Sequence, residues 1–226
     1  MKENIKTIFI KNYKWIILLI CIIAFLAILE DVFEYEQLKM DVIVYKMVVE
    51  NMRLEPLTTI LKVMTNLGGA YVLIGISIFS IIVLKNKKIS LGIIINLIII
   101  TLLNVLLKNI IDRPRPEGYR IITETGYSFP SGHSMVSMAF YGLLIYLIWK
   151  NVGNKKIKYI SCILLGLLIT MIGFSRIYLG VHYASDVLGG FVISIAYLIV
   201  FTTITKSVLE LDSDNREEVK NEAEKI

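Results

Sequence analysis

The chain has 226 residues, 56% of them hydrophobic and only 19% charged, with a formal net charge of +5 and a pI near 9.0. A soluble domain of this length carries about a quarter charged residues, so the composition argues against one. The basic balance does not point to nucleic acid either, because the lysines stand in short clusters between apolar runs and not on one basic face.

The runs are long enough to cross a bilayer, which takes about 20 mostly apolar residues. Six spans are expected, at about 15–30, 62–84, 89–108, 134–149, 158–175 and 183–205. The fold class is therefore all-α, an integral membrane six-helix bundle over residues 1–208. The first run follows Lys2, Lys6, Lys11 and Lys14 and resembles a signal peptide. No A-x-A cleavage site follows it and Glu30 and Asp31 come straight after, so it reads as a retained anchor. Between the first two spans, Leu38, Val42, Tyr45, Val49 and Met52 recur at a 4-3-4-3 spacing. That spacing lines one face of a helix and predicts an amphipathic segment on the outer surface or across the mouth of the bundle. From Leu209 onward, Asp212, Asp214, Glu217, Glu218 and Glu224 mark residues 209–226 as an acidic cytoplasmic tail. Cys21 and Cys162 both fall inside spans, with no Cys-x-x-Cys pair, so neither a disulfide framework nor a zinc site is expected.

Orientation follows from the basic residues. With the N-terminus cytoplasmic, the inner segments hold 15 of the 24, among them Lys85, Lys87, Lys88, Lys150, Lys155, Lys156, Lys158 and Lys206. The positive-inside bias then predicts both termini in the cytoplasm of a multi-pass cell-membrane protein.

Three polar clusters interrupt the apolar runs, and this topology puts all three outside. Lys108–Pro116 reads KNIIDRPRP, Phe129–His133 reads FPSGH and Ser175–Asp186 reads SRIYLGVHYASD. Lys108, Arg113, Arg115 and Arg176 gather there without as many carboxylates. A cation at mid-span costs roughly 2.5–3.5 kcal/mol on insertion scales. Snorkelling accounts for one lysine at a helix end, but not for arginines in proline-stiffened motifs. A phosphate does account for them, because guanidinium forks match its oxygens. In FPSGH, Ser131 is a good N-cap and Gly132 allows close backbone approach, so the free N–H groups of the following helix offer a second anion site. The chain's two histidines, His133 and His182, both lie in these clusters. Asp186, four residues after His182, can hold Nδ1–H and leave Nε2 as a nucleophile. His133 has no carboxylate beside it in sequence and suits a general acid. Asn104, one turn before Lys108, can either hold its ammonium group or pack between helices.

These clusters resemble the three-part signature of the type 2 phosphatidic acid phosphatase family, which includes the vanadium haloperoxidases: K-x6-R-P, P-S-G-H and S-R-x5-H-x3-D. Lys108 precedes Arg115-Pro116 by the right interval, Pro130–His133 match in full, and so do Ser175, Arg176, His182 and Asp186. The resemblance implies that Lys108, Arg115 and Arg176 bind phosphate with help from Ser131 and the Gly132 amide. It implies that His182 forms a phosphohistidine, that Asp186 orients it, and that His133 protonates the leaving group. Arg113 lies outside the signature and receives no catalytic role. No metal or cofactor is expected, and the expected partners are the bilayer and a lipid phosphate. Phosphatidylglycerophosphate or phosphatidic acid is the preferred substrate, because Gly132 stands where members resembling undecaprenyl-diphosphate phosphatases often carry Asp. Undecaprenyl diphosphate, or phosphotransfer to another acceptor, is the alternative. A transporter needs ionisable groups near the midplane of several spans, and here they lie at the ends.

Overall fold

The computed structural model describes residues 5–35 and 37–209, and the acidic stretch 210–226 lies outside them. In chain order the helices are α1 (Ile5–Glu34), α2 (Lys39–Tyr45, prolonged by a π-helical turn over Lys46–Glu50), α3 (Glu55–Leu67), α4 (Ala70–Val83), α5 (Lys87–Ile111), α6 (Gly132–Asn151), α7 (Lys155–Tyr178), α8 (Ala184–Ile204) and the short α9 (Lys206–Leu209). Five of them, α1, α5, α6, α7 and α8, are long and apolar enough to cross a membrane. The pair α3 and α4, bent by 48°, is apolar and long enough only when taken together, as a broken span or a re-entrant loop. The continuous helix expected at 62–84 is thus broken, and its first half begins at Glu55. Gly68 caps α3 by donating to the Thr65 carbonyl at 3.0 Å, and Gly69 starts α4 from an extended backbone. A Cβ at Gly68 would meet Ile172 of α7 at 2.6 Å, so the break is also where α3 closes against α7.

Local chemistry explains the other ends. Asn86, Ser131 and Asn154 each accept a backbone N–H as the N-cap of α5, α6 and α7. Asp112 stops α5 in the left-handed conformation at φ 55°, its N–H bonded to the Lys108 carbonyl, and Arg113-Pro114 then leads the chain away.

The core lies between α4, α5, α6, α7 and α8, where Leu73, Ile93, Phe140, Leu143, Ile172 and Phe201 are buried. Leu209 joins it, fully buried, with its carbonyl held by the Asn151 amide at 3.0 Å. Outward-facing Ile17, Leu19, Ile20, Ile23 and Leu26 on α1 stay exposed, as expected of a surface solvated by lipid tails. At the lysine-bearing end, Trp149 and Tyr159 stack edge-on at 5.6 Å with Lys158 over the indole, the amphipathic belt that marks a membrane interface. All three polar clusters gather at the opposite end.

α2 covers that end with only part of the predicted face. Leu38 and Val49 of that face are buried, but so are Asp41 and Val48 beside it, whereas Val42 and Met52 are exposed. The π-helical turn adds a residue per turn and shifts the phase of the stripe, and Asp41 is drawn inward by partners described below.

Candidate active site

α8 sets the floor of the site. Gly189 and Gly190, one turn beyond Asp186, let the FPSGH segment lie directly on the helix. A Cβ at Gly189 would come within 2.6 Å of the Phe129 ring, and one at Gly190 within 3.1 Å of the Ser131 carbonyl. The Ser131 N–H donates to the Asp186 carbonyl at 3.0 Å, so the start of α6 and the start of α8 are pinned together. The Phe129–Pro130 peptide in this segment is cis.

His182 lies just ahead of α8, not within it. Tyr183 is the N-cap, and Asp186 in the first turn folds back to accept its N–H at 2.8 Å. That capping contact brings the carboxylate to His182, with Nδ1 3.3 Å from Asp186 Oδ2. Ser128 donates to the same oxygen at 2.5 Å, and its Oγ lies 3.3 Å from Nδ1. On the other side of the ring, Nε2 is 3.0 Å from Arg115 Nη1. A guanidinium has donors only, so Nε2 must be the acceptor and the proton sits on Nδ1, toward Asp186. This tautomer presents a lone pair to whatever Arg115 binds. Burial first, and then the charges of Arg115, Arg176 and Lys108, hold the His182 imidazole well below its usual pKa, which keeps that lone pair available.

The cations come from three elements. Arg115 is locked by the carbonyls of Gly126, Val181 and Thr125 at 2.8, 3.0 and 3.1 Å. Lys108, at the end of α5, donates to the Tyr127 and Ser128 carbonyls. Arg176, at the end of α7, is 1% exposed and donates to Thr65 at 2.7 Å and to Glu124 at 2.5 Å. Its Nε–H is buried with no hydrogen-bond partner among the described residues, a costly state for a donor. Burial opposes ionisation of Glu124, but Arg176, and after it His133 and Arg115, outweigh it and hold the carboxyl below its usual range. Arg176 is therefore already paired with an anion, the Glu124 carboxylate.

His133, in the first turn of α6, lies within electrostatic range of Arg176, Glu124, Arg115 and Lys108. It also closes one end of an apolar groove of about 440 Å³ between α4, α5 and α6, walled by Ala70, Ile74, Ile98, Leu102 and Val136. Ser131 is fully buried and turned into its own helix, capping it, with its Oγ 2.9 Å from that of Ser134. Gly132 does more than admit a ligand: a Cβ there would meet Asn104 Oδ1 at 3.0 Å. Asn104 itself donates to the Pro130 carbonyl and to Met135 Sδ, both at 3.3 Å, which makes it a helix-packing residue and not the holder of Lys108.

All eight residues expected from sequence thus belong to one end of the bundle, drawn from α5, the 112–131 strap, α6, α7, the turn ahead of α8 and α8 itself. A family model for the PAP2 superfamily matches residues 89–209, more than half of the chain and all three clusters. The chain belongs to this superfamily. Among PAP2 relatives, phosphatidylglycerophosphatase B of Bacillus subtilis (strain 168) is 41% identical over 104 residues, covering 44% of this chain and 49% of that protein. An undecaprenyl-diphosphatase of Sulfolobus acidocaldarius is 28% identical over 191 residues, covering 81% and 86%. The match thus spans about half of the first protein and most of the second. The crystal structure of a transmembrane PAP2 type phosphatidylglycerolphosphate phosphatase from Bacillus subtilis superposes with a TM-score of 0.75 at 26% identity, over 84% of this chain and 96% of that one. That of Aquifex aeolicus LpxE gives 0.62 at 26% identity, over 74% and 98%.

Four polar side chains at this PAP2 site went unassigned in the sequence. Ser128 sits two residues ahead of Pro130 and has no distinguishing spacing. Glu124 stands in the strap with nothing to tell it from Glu117. Arg113 carried a signal, a second arginine in the same proline-stiffened motif, and Asp41 carried one too, an acid on an otherwise apolar helix face. Both are buried.

Proposed function

We propose that this chain is a membrane phosphatase that cleaves lipid phosphate esters through a covalent phosphohistidine. The observation that carries the reading is the state of His182: Nδ1 held by Asp186, and Nε2 turned to a guanidinium 3.0 Å away. Nε2 attacks phosphorus as its P–O bond to the lipid breaks, and His133 gives the departing alkoxide its proton. Water then attacks phosphorus and gives a proton to His133, the P–N bond breaks with its electron pair returning to Nε2, and orthophosphate leaves. Lys108, Arg115 and Arg176 carry the charge that builds on the phosphoryl oxygens. No metal is assigned a role, because the carboxylates of Glu124 and Asp186 are both engaged by arginines.

The groove ending at His133 supports a lipid as substrate. It offers an alkyl chain an apolar path to the head-group site, whereas a soluble sugar phosphate gains nothing from one. Phosphatidylglycerophosphate is the substrate favoured by the names of the first relative and the first solved structure, with phosphatidic acid beside it as a monoester of the same class. The undecaprenyl-diphosphatase relative favours a polyprenyl diphosphate as the second reading. Phosphate release by the purified protein in nanodiscs, across a panel of these lipids, is the test. Phosphatidylglycerophosphate should be cleaved, and equally well in EDTA. Loss of activity in EDTA that Mg²⁺ restores would remove the metal-free mechanism. If undecaprenyl diphosphate is cleaved tenfold faster than every glycerophospholipid, a preference of about 1.4 kcal/mol, the second reading replaces the first.

The positive-inside bias supports an outward-facing site with both termini cytoplasmic. In variants lacking Cys21 and Cys162, a single cysteine placed in the 117–127 strap should react with an impermeant thiol reagent in intact cells. One at Lys155 should not. The reverse pattern inverts the assignment.

A further inference from the structure

Behind His182 and Asp186 lies an ion cluster sealed from solvent. Arg113 and Asp41 are each 3% exposed and Asp186 is fully buried. Arg113 Nη1 donates to Asp186 Oδ1 at 2.6 Å and to Ser185 Oγ at 2.7 Å, while Nη2 donates to Asp41 Oδ2 at 2.9 Å. The guanidinium also lies over the Tyr183 ring at 4.2 Å. Asp41 accepts the Ser185 N–H at 2.8 Å and the Ser185 hydroxyl at 2.7 Å. Three separate segments, α2, the strap after α5 and the first turn of α8, thus meet on one guanidinium.

We propose that Arg113 and Asp41 are positioning residues for the nucleophile, with Arg113 fixing the Asp186 carboxylate and Asp41 setting how much of the Arg113 charge Asp186 receives. The proposal rests on the reading of His182 as nucleophile. Asp186 Oδ2 serves His182, Ser128 and the Tyr183 N–H together, and its contact to Nδ1 is long at 3.3 Å. The plane of the carboxylate, and so the aim of Oδ2, is set by what holds Oδ1, and that is Arg113. A buried carboxylate also needs a counter-charge, and Arg113 supplies it. A cation devoted wholly to Asp186 would drain the negative potential that the imidazole ring needs as it becomes cationic on bonding to phosphorus. Arg113 is shared with Asp41, so part of the Asp186 charge still faces the ring. Asp41 stands in α2, the helix that covers the mouth of the bundle, which makes the docking of that cover a condition for an effective nucleophile.

A purely structural role would make the same contacts, so stability alone cannot decide. The test uses the full-length protein in detergent as parent, Asp41→Asn, Arg113→Lys and Arg113→Ala, each alone and with Asp186→Asn. Tm, kcat, KM and the rate of acid-labile phosphoenzyme formation are measured on one lipid substrate. Asp41→Asn and Arg113→Lys are expected to slow phosphorylation and kcat about ten- to hundredfold, with KM changed less than about threefold, and to act less than about twofold in the Asp186→Asn background, as residues acting through one group are non-additive. A lower Tm with parent-like phosphorylation overturns the proposal, and so does an undiminished effect in the Asp186→Asn background. If Arg113→Ala does not fold, the two conservative variants still decide. A phosphoenzyme that persists in His182→Ala is a different failure, because it removes the nucleophile assignment itself.

Discussion

The His182→Ala variant is expected to lose the phosphoenzyme altogether and to drop kcat by on the order of 10⁴–10⁶-fold, the range seen when a covalent nucleophile is removed and only binding and charge stabilisation remain. Nothing else at the site can take over. His133 is already assigned to the leaving group, and the hydroxyls of Ser128 and Ser131 are occupied by Asp186 and by the α6 cap. Because the cations Lys108, Arg115 and Arg176 are untouched, binding of vanadate should fall far less than turnover. The parent enzyme adds a pH signature. Burial and the surrounding cations lower the His182 pKa, so the ring stays neutral at pH values where an ordinary histidine, near 6.5, is taking up its proton. The acid limb of phosphoenzyme formation should therefore lie below pH 6.5. A limb at or above that value would mean that the ring is solvated or paired differently from the arrangement described, and retained phosphoenzyme in the variant would transfer the nucleophile elsewhere.

The second large effect concerns proton transfer. General acids contribute about 10²–10⁴-fold, and that is the loss expected for His133→Ala on a lipid whose leaving group is an alkoxide. The loss should shrink to less than about tenfold on an aryl phosphate whose leaving group departs without a proton. This contrast separates chemistry from packing. His133 borders the groove between α4, α5 and α6, and a merely structural histidine would depress both substrates alike. Equal losses on the two substrates would therefore assign the acid to another group.

What the linear chain makes legible is whatever depends on local composition and short spacing. The crossings are legible because each apolar run must satisfy its own backbone in lipid as a helix, and run length alone reports that. The clustered cations and both histidines are legible because each stands within a motif of at most twelve residues at the end of such a run. The partnership of His182 with Asp186 is four residues long, and it survives although the helix starts at Ala184, because Asp186 turns back to cap it. The burial of Asp41 in place of Val42 and the grip of Arg113 on Asp186 have no such local cause. Asp41 meets Ser185 across 144 positions, Arg113 meets Asp186 across 73 and Arg176 meets Thr65 across 111. A buried charge must find a counter-charge wherever packing delivers one, and no periodicity along the chain encodes which. The clusters at the helix ends are thus a property of local pattern, whereas the network around Asp186 and His182 exists only once α2, the strap and α8 have been brought together.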